Sequence, residues 1–282
     1  MLKAILRNRV STLISSIYAE TRPTPPEKLV KSIINQLSKS CLPTNNKWNR
    51  AVDVGCGSGQ ATFLLADYFD QVFGFDISET QIDEAKRRNK FNNVTFKVNS
   101  GEEIPLEDGS VQLVTVCQAL HFFNIEAFLA KVDALLVPGG LFVTLGYYQI
   151  PKKLIRVDDP NANLDAIGDL IEATKRIWRD HGFDYIVYTD QLMAKYRNIK
   201  LPYDRLCYED TFDVTLRRPG TYIIDLINSL GPAIKFRDAY PDKHVSLMNK
   251  VRQELAVILN TEDLSKVMLE ATFEYFIMCF KK

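Results

Sequence analysis

Ala51-Val52-Asp53-Val54-Gly55-Cys56-Gly57-Ser58-Gly59-Gln60-Ala61-Thr62-Phe63 is the stretch on which the architecture turns. Residues 51–54 form a short apolar run with the look of a buried strand. Glycines follow at 55, 57 and 59, and then Ala61, Phe63, Leu64, Leu65 and Tyr68 take helical spacing. The expected unit is strand, glycine turn, helix. Glycine has no Cβ and tolerates positive φ, so such a turn lets a ligand press against bare backbone. The free N–H groups at the start of the next helix would face that ligand.

Working outward, further strand and helix signals alternate. Val72 to Asp76 reads as a second strand ending in an acid, and Ser78-Glu79-Thr80-Gln81 as a capping box opening a helix. Val94 to Val98 and Val111 to Cys117 read as strands three and four. A helix over about 125–136 is stopped by Pro138-Gly139-Gly140, and Leu141 to Leu145 is strand five. This alternation predicts βαβ units and a doubly wound α/β fold: a mostly parallel, seven-stranded sheet with helices on both faces.

Upstream, helices are expected over residues 1–20 and about 25–40, separated by Arg22-Pro23-Thr24-Pro25-Pro26. Residues 148–205 are read as a helical cap inserted at the sheet's C-terminal edge, rich in aromatic and basic side chains. The domain proper is then residues 1–147 plus 206–282. Within the second part, a strand is expected over 209–216, helices over 219–230 and 241–258 with a break at Gly231-Pro232, and a final strand over 267–280.

Composition narrows the function classes. The chain has 282 residues, and Lys+Arg equals Asp+Glu at 35 each, so there is no electrostatic reason to expect a nucleic-acid partner. No apolar run reaches the roughly 18 residues of a membrane span. Five scattered cysteines without a CxxC pair argue against a disulfide scaffold or a zinc site and fit a reducing, cytoplasmic setting. The basic, Ser-containing first 19 residues have a faint transit-peptide character, with mitochondria as the alternative compartment, but an ordinary amphipathic first helix is the preferred reading.

Glycine spacing separates the ligand classes. A dinucleotide fingerprint would need glycine at 60, where Gln60 stands. Asp76, about 20 residues beyond the turn, occupies the position where doubly wound folds bind a ribose diol. A carboxylate only accepts hydrogen bonds, and a diol can donate two.

Five segments together carry a resemblance. Val52-Asp53-Val54-Gly55-Cys56-Gly57-Ser58-Gly59, Phe75-Asp76-Ile77-Ser78 and Ser100-Gly101-Glu102-Glu103-Ile104-Pro105-Leu106 resemble, in order, the first three motifs of the Rossmann-like S-adenosylmethionine-dependent methyltransferases, of the methyltransferase type 11 domain. Val114 to Phe123 resembles the fourth strand and its "HW" turn, with Phe122 where Trp is usual. Leu136-Val137-Pro138-Gly139-Gly140 resembles the entry to strand five. A narrower resemblance, to the trans-aconitate methyltransferase-like group, rests on Tyr18 with Arg22-Pro23 and Pro25, on residues 196–203, and on Asn228-Ser229-Leu230. The Leu230-Gly231-Pro232 that follows departs from that group.

The resemblance implies S-adenosyl-L-methionine as cofactor. Gly55, Cys56, Gly57 and Gly59 would pack on its methionine part, with Asp53 orienting the turn. Asp76 would hold the ribose, Ile77 the adenine face, and Ser100, Gly101 and Glu102 the adenine edge. Gln118 and Ala119 would lie near the reactive methyl. Tyr18 and Arg22 would close over the amino-acid end, unless Arg22 anchors an acidic substrate instead. His121 is the candidate general base, set against a purely structural histidine. The expected activity is O-methylation of a small-molecule carboxylic acid. The alternatives are a methyltransferase for protein or RNA, a cofactor-binding protein without turnover, and, more distantly, a NAD-linked dehydrogenase.

Overall fold

The computed structural model of the chain describes residue 21, residues 23–183 and residues 186–282. The helix expected over residues 1–20, together with Tyr18 and Arg22, lies outside the described residues.

Eight strands form one sheet: β1 Trp48–Val54, β2 Phe69–Asp76, β3 Val94–Val98, β4 Val111–Cys117, β5 Leu136–Tyr147, β6 Lys153–Arg156, β7 Leu206–Pro219 and β8 Met268–Lys281. The order is β3-β2-β1-β4-β5-β8-β6, with β7 on the other edge of β8. Strands β1 to β5 pair in parallel, whereas β8 runs antiparallel to β5, β6 and β7. The chain direction therefore reverses outward from β1, and the tips of β1, β2 and β4 converge at a topological switch point. That is the position at which open α/β sheets bind ligands.

Eight α-helices are described: α1 Glu27–Ser38, α2 Glu79–Arg88, α3 Ile125–Leu135, α4 Asp165–Asp180, α5 Ile186–Met193, α6 Thr221–Asn228, α7 Gly231–Ala239 and α8 Pro241–Ile258. Successive strand residues point to opposite faces. Ala51, Leu113, Leu141, Val143 and Leu145 pack with α1 (Leu29, Ile33, Leu37), α6 (Ile223, Ile227) and α8 (Val251, Leu255). Val52, Val54, Val114, Val116 and Phe142 pack with α3 (Phe128, Val132, Leu135) and with Leu192, Tyr196 and Ile199. Each fully buried aliphatic or aromatic side chain on these faces contributes about 1.5–3 kcal/mol.

The structure departs from the sequence expectation at five places. The helix expected after the glycine turn is only a 3-10 turn, Thr62–Leu65, because β2 already begins at Phe69. No helix N-terminus of useful length therefore backs the glycine turn. Pro138-Gly139-Gly140 does not separate helix from strand. It forms a bulge inside β5, whose pairing with β4 jumps from Val111↔Leu136 to Leu113↔Leu141. Gly139 has φ +79°, and a Cβ there would lie 2.4 Å from the Ser40 carbonyl oxygen. The inserted segment is not helical throughout: Lys153–Arg156 extends the sheet as β6, which raises the strand count from seven to eight. Gly231-Pro232 begins a helix rather than only ending one, since proline suits the first turn of α7. Strand β7 is longer than expected because β8 offers it a full-length antiparallel partner.

Candidate active site

The loops after β1, β3 and β4 meet at one point. A Cβ added to Gly55 would lie 2.4 Å from the Cβ of Ala119 and 3.4 Å from the ring of Phe123. One on Gly101 would lie 3.0 Å from Val54 and 3.3 Å from the Phe123 ring. Gly55 and Gly101 are thus required by contact between the three loops. Gly57 differs. Its φ is +54°, and the nearest atom to a Cβ there is the Gln81 amide oxygen at 3.9 Å, so its bare face is open.

Asp76 joins the turn to β2. Its Oδ2 accepts the Gly57 N–H at 2.9 Å, and its Oδ1 accepts the Ser78 N–H at 2.9 Å. The carboxylate is pinned by backbone on both oxygens, and each keeps a lone pair for a further donor. This pinning also changes the capping box. Ser78 caps α2 by accepting from the Gln81 N–H, but the Ser78 N–H is already spent on Asp76. The Gln81 side chain makes no return bond, and its Oε1 is buried without a partner beside Gly57.

Asp53 has no exposed surface. Its Oδ2 accepts from Thr62 Oγ1 at 2.6 Å and its Oδ1 from Thr115 Oγ1 at 2.8 Å. It ties β1, the 3-10 turn and β4 together from behind. Burial drives its pKa up to about 6, against the two hydroxyl donors that lower it and with the nearby Asp76 adding to the rise. Cys56 is also turned away from the open face. Its N–H donates to Phe75 O, its carbonyl accepts from the Gly59 N–H, and its buried thiol is pushed well up by burial. Gly59, at φ +88°, lies against Phe63 and Phe96.

Around this centre, Ile77 is 75 % exposed immediately after Asp76, an apolar surface beside a ribose-type acceptor. Ser100 is half-buried, and Glu102 Oε1 accepts the Asn124 N–H at 3.0 Å, so Glu102 supports the start of α3. Gln118 is left-handed at φ +61°, a strained state for a non-glycine residue. Its Nε2 donates to Tyr147 O at 2.6 Å, while its Oε1 is buried without a partner.

His121 is half-buried three residues further on, and burial takes its pKa down to about 4. It is neutral at pH 7 and a weak base, which removes most of the ground for the general-base expectation. Its Nδ1 lies 3.1 Å from the hydroxyl of Tyr196, a residue of the inserted segment.

Two buried, unpartnered amide oxygens, one bare glycine and a doubly pinned carboxylate make a cradle that fits a nucleoside carrying an amino-acid tail. An acceptor such as the Gln118 amide oxygen suits an ammonium group, and Asp76 suits a diol. Among the described residues no cluster could hold a metal ion, and no helix is long and apolar enough to cross a membrane. Gln81, Thr62, Thr115 and Tyr196 belong to this constellation without having been picked out as site residues from sequence. Only Gln81, in its capping box, and Tyr196, in its late motif, carried any signal.

Residues 52–144 match the family model described as a methyltransferase domain. A Dictyostelium discoideum protein named as a methyltransferase is 38% identical over 134 residues, 48% of this chain and 47% of that protein. A Saccharomyces cerevisiae protein named as an S-adenosylmethionine-dependent methyltransferase is 29% identical over 140 residues, 48% of this chain and 46% of that one. The chain spans about half the length of the curated relatives it matches. Over the whole chain, the structure of a type II methyltransferase from Anaeromyxobacter dehalogenans superposes with a TM-score of 0.68 at 22% identity, covering 92% of this chain and 97% of that one. That likeness establishes the Rossmann-like methyltransferase fold. Residues 52–144 thus resemble a methyltransferase domain, and the Saccharomyces relative is named for its dependence on S-adenosylmethionine.

Proposed function

We propose that the chain is an S-adenosylmethionine-dependent methyltransferase that O-methylates a small-molecule carboxylic acid. The observation that carries the cofactor half is the Asp76 carboxylate, held by the N–H groups of Gly57 and Ser78 beside an open glycine face. Asp76 would take the ribose hydroxyls, Ile77 the adenine face, and Gly57 the close approach of the methionine part. The Gln118 oxygen would accept from the ammonium group and the Gln81 oxygen from a hydroxyl. Gly55, Gly59, Gly101, Ala119 and Asp53 would shape the cradle. Ser100 and Glu102 would border the adenine, with Glu102 also fixing α3. The resemblance assigns Tyr18 and Arg22 to the amino-acid end or to an acidic substrate. When bound, the cofactor supplies an electrophilic methyl group on a sulfonium.

The acid half rests on chemistry. A carboxylate is ionised at pH 7 and needs no base to become a nucleophile. The one histidine in the convergent loops is neutral and weakly basic, as such a reaction permits. Alignment of donor and acceptor and exclusion of water then carry the rate. The balanced charge gives no pull towards nucleic acid. Residues 148–205 are read as the substrate-side unit, since their Tyr196 reaches the loop after β4.

Isothermal titration with S-adenosylmethionine tests the cofactor reading. Binding by the wild type and its loss in Asp76→Ala are expected, and equal behaviour of the two would sink it. Incubating a cell extract with the protein and deuterated-methyl cofactor, followed by mass spectrometry, tests the acceptor. Label in the carboxyl esters of small molecules is expected. Label confined to protein or RNA, or no product, would overturn the acid reading.

A further inference from the structure

The strands at the edges of the sheet are not alike. β3 has 5 residues and β6 has 4, whereas β7 has 14 and, among the described residues, pairs with β8 alone. A long edge strand is a template for another strand, and proteins blunt such edges by shortness, proline, bulges or a cover. The bulge of β7 lies at Leu206/Tyr208, and its proline is the last residue, Pro219. Residues 209–218 run between them with neither.

The free side of that run follows from the ladder. On β8, the carbonyls of Met268 and Thr272 accept the N–H groups of Val157 and Lys152, on the β6 side. Even-numbered residues of β8 therefore bond towards β6, and odd-numbered ones towards β7. The register sets odd residues of β8 opposite even residues of β7, as in Val214↔Phe273. The N–H and C=O groups of Glu209, Thr211, Asp213, Thr215 and Arg217 thus point away from the sheet. Side chains cap this edge at either end. Asp210 Oδ1 accepts the Thr211 N–H at 2.7 Å, and Arg218 Nη1 donates to the Arg217 carbonyl at 3.2 Å.

We propose that β7 pairs antiparallel with β7 of a second copy of the chain, about a two-fold axis at Val214. An axis normal to the sheet keeps each face on its own side, so facing residues are both even or both odd and their numbers add to a constant. The side chains choose the register. With Val214 opposite its own copy, Phe212 meets Leu216 and Asp210 meets Arg218 on one face. On the other face, Thr211 meets Arg217 and Asp213 meets Thr215. An axis at Asp213 would set two like charges against each other. One at Thr215 would set Phe212 against Arg218 and Thr211 against Pro219, which has no N–H.

The caps of the single chain are the groups that this register exchanges. The Thr211 N–H of one copy donates to the Arg217 carbonyl of the other. Asp210 and Arg218, released from those two backbone groups, then lie opposite each other as an ion pair. In the single chain, Asp210 accepts from the Tyr208 hydroxyl at 2.8 Å, and neither it nor Arg217 or Arg218 has an ion-pair partner among the described residues. The apolar row gains as well. Phe212 is buried, but Val214 and Leu216 are only half-buried, and a second strand covers them. The pairing does not depend on the methyltransferase reading.

Sedimentation equilibrium of the 282-residue chain tests the pairing. The wild type should be a dimer with a dissociation constant of about 1–10 µM, as suits a small interface. Asp210→Arg and Arg218→Asp should each weaken it about 10- to 100-fold, since each sets like charges opposite at two symmetric places. The double variant should return to within about threefold of the wild type. In a Cys207→Ser background, Val214→Cys should form a disulfide between copies on mild oxidation, because opposite residues of a non-hydrogen-bonded pair bring their Cβ atoms within reach. Thr215→Cys, which faces Asp213, should not. Circular dichroism of each variant should match the wild type, and the Val214→Cys link reads the register without altering a charge. A wild type that stays monomeric at about 100 µM would overturn the proposal and leave the edge to a strand of a different protein. A double variant no tighter than the single ones, or an unlinked Val214→Cys, would also overturn it.

Discussion

Replacing Asp53 with asparagine should change how stability depends on pH, and the size of the effect follows from the burial of that side chain. Asp53 is wholly enclosed, and its pKa rises from 3.8 to about 6 in the fold. A carboxyl whose folded pKa lies above its unfolded one favours the fold only while protonated. Its contribution is full below about pH 3.8 and is lost once pH exceeds about 6. At about 1.4 kcal/mol per pH unit, the loss across that window is about 3 kcal/mol. Asparagine has nearly the same shape and no charge, and the Thr62 and Thr115 hydroxyls can rotate to meet its oxygen and its NH2 group. The Asp53→Asn protein should therefore gain on the wild type by about 3 kcal/mol between pH 4 and pH 7. Urea unfolding of both proteins at pH 4, 5, 6 and 7 measures this, because the other titrating groups are common to the pair. A stability gap that does not change with pH, or a wild type that gains on the variant as pH rises, would refute desolvation as the main cause of the raised pKa. The stability lost at pH 7 would be the cost of a buried anchor that cross-links β1, the 3-10 turn and β4 behind the glycine turn.

Two glycine substitutions should separate folding from binding. Gly57→Ala meets open space and should cost only the left-handed strain, about 1–2 kcal/mol, while abolishing S-adenosylmethionine binding in a titration. Gly55→Ala adds a 2.4 Å clash with Ala119 and should cost about 1–3 kcal/mol more, visible as a lower melting temperature. Asp76→Asn should weaken S-adenosylmethionine about 10- to 100-fold by calorimetry, and should also lower stability by about 1–3 kcal/mol, because its NH2 group cannot accept one of the two backbone N–H groups that Asp76 holds. Thiol labelling of the native protein should reach exposed Cys207 first, whereas buried Cys56 and Cys279 should react only on unfolding.

Much of the fold was legible because its signals are local. Apolar runs, capping residues and glycine stops act over a few neighbours, so strands β1 to β5, α2, α3, α8 and β8 stand close to where their residues predict them. The same holds for the 55–59 turn and for Asp76, which a spacing of about 20 residues places at the tip of β2. The errors occurred where a distant partner overrode local preference. Helical spacing at 61–68 yielded to a 3-10 turn because β2 takes up the chain at Phe69, and Pro138-Gly139-Gly140 became a bulge because β4 pairs on both sides of it.

The sequence by itself determined the alternation of strands and helices, the bare glycine turn and the acid beside it. Only the tertiary structure decided what the polar side chains there do. Asp53 meets Thr62 and Thr115, Gln118 reaches Tyr147, Asp76 takes the N–H that would have held Gln81, and Tyr196 crosses 75 positions to His121. Those pairings set burial, and burial sets protonation. Residue order does not specify these properties until the sheet has brought its loops together.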